Sequence, residues 1–254
     1  MPERPETVDV DFIAPRHLAG GGDPAWITVP LHRACGWSHG HDPLMPRVIL
    51  SSPDQKALLR LEPDPDGPWW TLHHAAGPGQ PAWYASFGAR TPVELIAAFT
   101  DALTDPTTTQ APSCDVLEPL LGAGWSPAYV ANRFVSPDTT TVVERLDGGP
   151  WFATTTLSGG RPVWQARFGE NTPAHLITAF TTALADPSPA LRIDSSRSLP
   201  TRDPELITRT RREVPATEIA SALEDRVRAL TARRAPRSTP SPSTAPSPRP
   251  RRAR

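Results

Sequence analysis

Apolar and polar residues alternate in the stretch Trp83-Tyr84-Ala85-Ser86-Phe87, and they alternate again in Trp164-Gln165-Ala166-Arg167-Phe168. A period of two marks a strand with one face on a core. Beyond each stretch the period lengthens. Leu95, Ile96, Phe99 and Leu103 follow the first, and Leu176, Ile177, Phe180 and Leu184 follow the second. That spacing predicts a helix with one apolar stripe. Thr91, Pro92 and Glu94 predict a capping box at the start of the first helix, Thr172-Pro173 repeats its opening, and Asp105-Pro106 and Asp186-Pro187 stop the two helices.

The two stretches are one phrase written twice. Residues 83–106 and 164–187 share 15 identities in 24 positions without a gap, which marks an internal repeat. Upstream the likeness continues in shorter pieces: "GPWW" at 67–70 with "GPWF" at 149–152, "SPD" at 52–54 and 136–138, and "ACGW" at 34–37 with "GAGW" at 122–125. Three further strands are predicted ahead of the alternating one in each copy, and a short helix ending at Gly36 or Gly124 ahead of those. The expectation is an α+β protein of two homologous repeats, each a short helix, a four-stranded antiparallel sheet and a long C-terminal helix, sharing a core. The first repeat spans 1–106, with "VDVDFIA" as an added N-terminal strand presenting Val8, Val10 and Phe12 on one face; 107–115 is a linker and 116–187 the second repeat. A unit of this size buries too little surface to be stable alone, which is why a shared core is expected. Six of the eight tryptophans pair by position, Trp37 with Trp125, Trp69 with Trp151 and Trp83 with Trp164, and are expected to be the packing between the halves.

Composition adds a third region. Residues 1–187 carry a formal charge of -9 and residues 188–254 carry +8, which together give the net -1 of the whole chain. Residues 188–214 are expected to be a linker and 215–234 an amphipathic helix with Ile219, Leu223, Val227 and Leu230 on one stripe. The Arg, Pro and Ser-rich segment 235–254, containing Arg251 and Arg252, should not fold. No apolar run approaches the roughly 18 residues of a membrane helix, so a soluble cytoplasmic protein without membrane partners is expected.

The "SSPDQ" and "VSPDTT" turns, the Gly-Trp joints and the W-x-A-x-F-G-x-x-T-P passage from strand to helix together resemble an actinobacterial family of unknown function named for a Ser-Pro-Asp-Tyr motif and common in streptomycetes. The likeness covers residues 8–187. This chain departs from the motif's tyrosine, with Gln55 and Thr139 in its place. The resemblance implies the tandem fold and carries no activity with it.

Candidate chemistry is sparse. His39, His41 and Asp42 lie within four residues, the spacing of a metal-binding loop, but the second copy has nothing like them. Adjacent His73 and His74 must point to opposite faces of a strand. "AGGGDP" at 19–24 lacks the Lys-Ser/Thr of a phosphate loop and is expected to be a turn. Asp54 and Asp138 follow turn prolines and are expected to brace those turns. Two cysteines make neither a disulfide framework nor a four-thiolate zinc site. No cofactor is expected, and no nucleophile elbow is present.

What remains is binding. Trp69-Trp70 and Trp151-Phe152 are consecutive aromatics on a strand, so one of each pair turns away from the other. Either both faces of the sheet are covered or an aromatic stands on an open face. On that second arrangement the candidate binding residues are Trp70, Phe152, Tyr84 and Arg167 on the sheet, with Arg251 and Arg252 in the tail. Four strands followed by a helix, twice, also resembles at the level of fold the purine-rich-element and Whirly single-strand binders. The expectation is a non-enzymatic binding or adaptor protein recognising a protein partner; single-stranded nucleic acid through the sheet and the Arg-rich tail is the first alternative, and a metal-dependent enzyme using the His39/His41 loop the second.

Overall fold

Each alternating stretch forms the strand its pattern predicts, and the two strands lie side by side. In the computed structural model, which describes residues 6–41, 47–64, 67–107, 115–128, 132–193 and 199–234, the first half consists of β1 (Thr7–Ala14), α1 (Ala25–Arg33), β2 (Ser38–His41), β3 (Val48–Ser51), β4 (Ala57–Leu61), β5 (Trp70–His74), β6 (Trp83–Phe87) and α2 (Val93–Thr104). The second consists of α3 (Glu118–Gly122), β7 (Ser126–Pro127), β8 (Arg133–Val135), β9 (Thr141–Arg145), β10 (Trp151–Thr156), β11 (Pro162–Phe168) and α4 (Ala174–Ala185); β12 (Ala190–Ile193), β13 (Thr208–Pro215) and α5 (Ala216–Arg234) follow. Ten strands form one sheet in the order β2-β3-β4-β5-β6-β11-β10-β9-β8-β7. Each half therefore supplies five strands where four are predicted. The additional ones, β2 and β7, are the short outer pair, too brief to show a period.

The seam explains the repeat. β6 and β11 run antiparallel, with Ser86 opposite Arg167, Phe87 opposite Ala166 and Ala85 opposite Phe168. Ser86 and Arg167 are equivalent positions of the two copies, so a local two-fold axis passes between them. Two further bonds obey it: the Gly88 N–H donates to the Gln165 carbonyl at 2.9 Å, and the Gly169 N–H donates to the Tyr84 carbonyl at 2.8 Å. Beneath the axis Phe87, Phe99, Phe168 and Phe180 interlock, with ring centroids 5.0 to 6.0 Å apart for their five contacting pairs. All four are essentially inaccessible to solvent. Packing across the halves is thus centred on phenylalanine, and two tryptophans of the second half also reach the first: the Trp164 indole N–H donates to the His17 carbonyl at 2.8 Å, and the Trp125 and His17 rings meet edge to face with centroids 6.3 Å apart. Trp37, Trp83, Trp125 and Trp164 belong to the same buried cluster but flank this centre.

Cross-strand register also corrects the alignment of the aromatics. Trp70 stands opposite Phe87 and Trp151 opposite Phe168, so Trp70 and not Trp69 is the counterpart of Trp151. A slip of one residue exchanges the faces of a strand. Trp70 is accordingly turned into the core, 2% exposed, and is removed from the binding candidates.

The helix starts differ from the predicted capping box. Neither α2 nor α4 has a side-chain cap bond. Thr91 is buried with no hydrogen-bond partner for its hydroxyl among the described residues, while Thr172 donates its hydroxyl to the Tyr84 carbonyl at 3.1 Å. Glu94 turns instead to Arg192, which holds it through its two terminal guanidinium nitrogens at 2.6 and 2.9 Å. The same guanidinium donates to the carbonyls of Ala19 and Gly20 at 3.1 and 2.9 Å. The glycine-rich turn is therefore a cradle for a cation: Gly20 and Gly22 have φ of 75° and 91°, and a Cβ on Gly22 would lie 2.7 Å from the Val93 side chain.

Residues 188–214, expected to be a linker, contain β12 and β13, and these sandwich β1 in a separate three-stranded sheet, order β12-β1-β13. The N-terminal strand thus joins the C-terminal segment and not the sheet of the first repeat. β13, Thr-Arg-Thr-Arg-Arg-Glu-Val-Pro, is mostly exposed, so it has no apolar alternation to betray it. Pairing with β1 and the ion pair of Arg209 with the buried Asp11 at 2.8 Å hold it in place. Val10 is buried as expected, with Val8 and Phe12 half-buried. α5 docks on the body: Val227 and Leu230 are buried, and Arg226 grips Asp101 at 3.0 and 2.8 Å. Ile219 and Leu223 of the predicted stripe are half-buried.

Candidate functional site

The helices cover one face of the ten-stranded sheet. The other is open, as the burial alternation of β4 and β11 shows: Ala57, Leu59 and Leu61 are buried, with Leu58 and Arg60 exposed; Trp164, Ala166 and Phe168 are buried, with Gln165 and Arg167 exposed. Side chains that the strand period turns outward therefore gather on this face. Three of the candidate residues meet there. The Arg167 guanidinium carbon lies 5.3 Å from the centroid of the Tyr84 ring and 5.6 Å from that of Phe152. Both are cation–π distances.

Register builds the surroundings. Phe152 stands directly opposite Arg167 on β10, and His73 opposite Tyr84 on β5, with Leu58 opposite His73 on β4. The His73 and Tyr84 rings stack with centroids 6.3 Å apart and planes 28° apart. Tyr84 lies flat because position 169 is glycine: a Cβ there would sit 2.9 Å from two ring carbons. The result is a strip across five strands, Leu58, His73, Tyr84, Arg167 and Phe152, roughly 19 Å long at the usual strand spacing. Leu58 is 40% exposed.

Charge on this face is nearly all matched. Arg60 pairs with Glu62 at 3.4 Å and Arg133 with Glu144 at 3.8 Å. Among the described residues no carboxylate pairs with Arg167, whose neighbours are the two rings, so its charge faces outward.

The two-fold axis does not extend to these side chains. Arg167 has Ser86 as its counterpart, Tyr84 has Gln165 and Phe152 has Thr71. The fold is repeated while the strip is written once, on positions where the copies differ. His73 was noted in the sequence only as one of two adjacent strand histidines and not as a neighbour of Tyr84, and Gly169 was not singled out at all. The Phe-Gly pair shared by both copies, Phe87-Gly88 and Phe168-Gly169, was the available signal that something lies close over those glycines.

The remaining candidates come out as follows. His39 is exposed on the edge strand β2, opposite Leu50, and His41 ends that strand; Asp42, Arg251 and Arg252 lie outside the described residues. Among the described residues no group of three or more His, Cys, Asp and Glu is placed to hold a metal ion. Asp54 and Asp138 brace their turns. The Ser52 hydroxyl donates to Asp54 at 2.6 Å and accepts the Ala57 N–H at 2.8 Å, and the same arrangement joins Ser136, Asp138 and Thr141. The motif's fourth position has φ of 60° in both turns, at Gln55 and Thr139.

Asp138 has an additional partner, His17, whose Nε2 lies 2.8 Å from the second carboxylate oxygen. Burial opposes the charge on Asp138, but the hydrogen bond and charge of His17, the Ser136 hydroxyl and the Thr140 N–H outweigh it and hold the carboxyl well below the usual carboxylate range. Serine, aspartate and histidine thus meet in one cluster, in an order unsuited to catalysis. The carboxylate stands between the serine and the histidine, whereas activation of a hydroxyl needs the histidine in the middle.

Two regions of the chain, residues 51–109 and 135–190, match the family model described as SPDY, a domain of unknown function (DUF317). The two matched regions fit the internal duplication, and both turns and both strand-to-helix joints fall inside them. No curated protein and no solved structure matches the chain. Among the described residues no helix is long and apolar enough to cross a membrane.

Proposed function

We propose that the protein is a non-enzymatic docking module whose open sheet face receives an acidic, partly apolar segment of a partner protein. The observation that supports this most is the Arg167 charge, set between Tyr84 and Phe152 with no carboxylate beside it among the described residues. A carboxylate supplied by the partner would complete a charge-assisted pair on a site already partly shielded by aromatic rings. Tyrosine and arginine are the residue types that dominate binding energy at protein interfaces, and a rigid sheet holds them without a loss of backbone freedom on binding.

Nucleobase stacking fits less well. Tyr84 has His73 on one side and Arg167 on the other, and Phe152 has Arg167 near its ring, so a base would have to displace groups already seated there. A phosphate backbone would bring a negative charge at every nucleotide to a body of net charge -9, whereas a peptide can bring a single carboxylate to Arg167 among apolar residues.

Selection of displayed random peptides on the full chain, with counter-selection on Arg167→Glu, tests this reading. Enriched peptides should carry Asp or Glu among apolar residues and lose at least tenfold in affinity for Arg167→Glu, about 1.4 kcal/mol or more. Enrichment of basic peptides, or equal binding to both forms, would contradict it.

A further inference from the structure

The second repeat holds a piece of the first half in a socket, and the first repeat writes the same socket without a segment of the chain to fill it. Residues 16–18 form a single helical turn after β1. They place His17 against Asp138, with Nε2 2.8 Å from the carboxylate, and against the edge-on ring of Trp125. The carbonyl of the same histidine accepts the Trp164 indole N–H at 2.8 Å. One residue is thereby held twice, by an acceptor for its ring and by a donor for its backbone.

Every part of that socket occurs in both copies. Asp138 corresponds to Asp54, Trp125 to Trp37 and Trp164 to Trp83. The two turns are braced alike, through Ser52 and Ser136. The Gly36–Trp37 joint adjoins the first turn, since a Cβ on Gly36 would lie 3.7 Å from the Pro53 ring, and Gln55 and Lys56 of that turn border one depression with Trp83. The filling segment differs: Pro15-Arg16-His17-Leu18 precedes the repeat and is written once.

Two polar groups of the first socket consequently lack the partners that their equivalents have. Asp54 is exposed where Asp138 is half-buried. The Ser52 hydroxyl and the Lys56 N–H both donate to Asp54 Oδ1, at 2.6 and 3.2 Å, and among the described residues no side chain bonds the other oxygen, the one that His17 takes on Asp138. Lys56 attracts this carboxylate by its charge without pairing with it. Trp83 is only 7% exposed, yet among the described residues its indole N–H has no acceptor. His74 stacks on the face of that ring and bonds the Ala75 carbonyl through Nδ1, leaving the N–H to others. In so enclosed a place a carbonyl brought by a ligand makes a stronger bond than it would in open water.

We infer that the first socket docks a histidine-bearing turn of a partner protein, the imidazole donating to Asp54 and the carbonyl of the same residue accepting the Trp83 indole N–H. Histidine is specified because the second copy, with the same three side chains, holds one. Lysine or arginine would reach the carboxylate on a longer chain and carry its carbonyl away from the indole. A second copy of this protein is not the occupant, because its own His17 is already engaged. The site is separate from the sheet-face reading, since Arg167 takes no part in it.

The eight tryptophans give eight indole signals in a ¹H–¹⁵N spectrum of the full chain, and these supply the measurement. The probe is a peptide of residues 14–20, Ala-Pro-Arg-His-Leu-Ala-Gly, acetylated and amidated at its ends. It should move the Trp83 signal, identified by its loss in Trp83→Phe, with a dissociation constant on the order of a millimolar, as expected of a short ligand held by two hydrogen bonds. The same peptide with alanine for histidine should leave that signal in place. Asp54→Asn keeps an oxygen for Ser52 and Lys56 and should weaken binding about tenfold, with the indole signals of Trp125 and Trp164 unshifted. Arg167→Glu should leave the titration unchanged while it abolishes peptide selection on the sheet face, so the two readings fail separately. A Trp83 signal unmoved by about 10 mM peptide, equal effects of the histidine and alanine peptides, or undiminished binding to Asp54→Asn would overturn the inference. Movement of Trp164 in place of Trp83 would overturn it as well, by showing that the peptide only displaces the chain's own His17.

Discussion

Ser86 and Arg167 occupy the same place in the two copies of the repeat, and they face each other across the β6–β11 seam. One sequence written twice thereby becomes one sheet with a two-fold axis at its centre. The residues that build the seam are those the copies share, and the residues displayed above it are those in which they differ.

The first consequence concerns cooperativity. Phe87, Phe99, Phe168 and Phe180 come from both halves and form one cluster, so the halves should unfold together. Phe180→Ala should destabilise the protein by about 3–5 kcal/mol, and urea unfolding followed by far-ultraviolet circular dichroism should show a single transition in both proteins. Two separated transitions in the wild type would show that the halves hold their structure independently.

A pair of substitutions tests the corrected register. Trp70 points inward and Phe152 outward, although the sequence writes them as equivalents. Trp70→Ser should cost about 3–5 kcal/mol, whereas Phe152→Ser, on the open face, should cost about 1 kcal/mol or less. The reverse order of melting temperatures would mean that the strand faces have been exchanged.

Asp138 sets an acid limit on stability. Its folded pKa is depressed, so the unfolded chain binds its proton first as the pH falls. The stabilisation is therefore complete above the ordinary Asp value of about 3.9, and it is lost progressively below that value as the pH falls toward the folded pKa. Urea midpoints measured from pH 7 to pH 2 should drop below about pH 4, and Asp138→Asn should start lower at pH 7 and show a shallower drop. Parallel curves for the two proteins would remove His17–Asp138 from the account.

The C-terminal helix is tied to the first half through Trp26, Arg33, Asp101 and Thr104. Asp101 on α2 receives Arg226 of α5, and the equivalent position on α4 is Thr182, which has no charge to offer. Asp101→Ala should speed amide exchange across 216–234 by at least about tenfold and leave the sheet strands unaffected. Unchanged protection in α5 would assign its docking to Val227, Leu230 and the Arg33–Glu224 pair, which is 2.9 Å long at Arg33 Nη2.

How much of this was legible beforehand differs by element. The strand and helix of each repeat could be read because half-buried elements write their period into the sequence. Tyr84, Phe152 and Arg167 could be read as outward residues because they fall between the shared core positions. Trp70 was misassigned because "GPWW" and "GPWF" match as letters one residue out of register, the loops ahead of the strands, 62–69 and 146–150, differing by three residues, and only cross-strand pairing reveals that slip. β13 left no trace because an exposed strand held by backbone pairing has no apolar period. The Glu94–Arg192 pair was hidden because its members lie 98 positions apart, and nothing local to Glu94 distinguishes a cap from a long-range partner.

The most direct test of the docking face is to place a photo-crosslinking residue at Gln165, beside Arg167 on the open sheet, and separately at Thr182, exposed on α4, in otherwise complete chains expressed in the native host. Protein adducts should form from position 165, map to acidic segments of the captured protein and vanish when Arg167→Glu is added. Adducts from position 182 alone, adducts indifferent to Arg167→Glu, or nucleic acid as the crosslinked species would contradict a protein-docking sheet face.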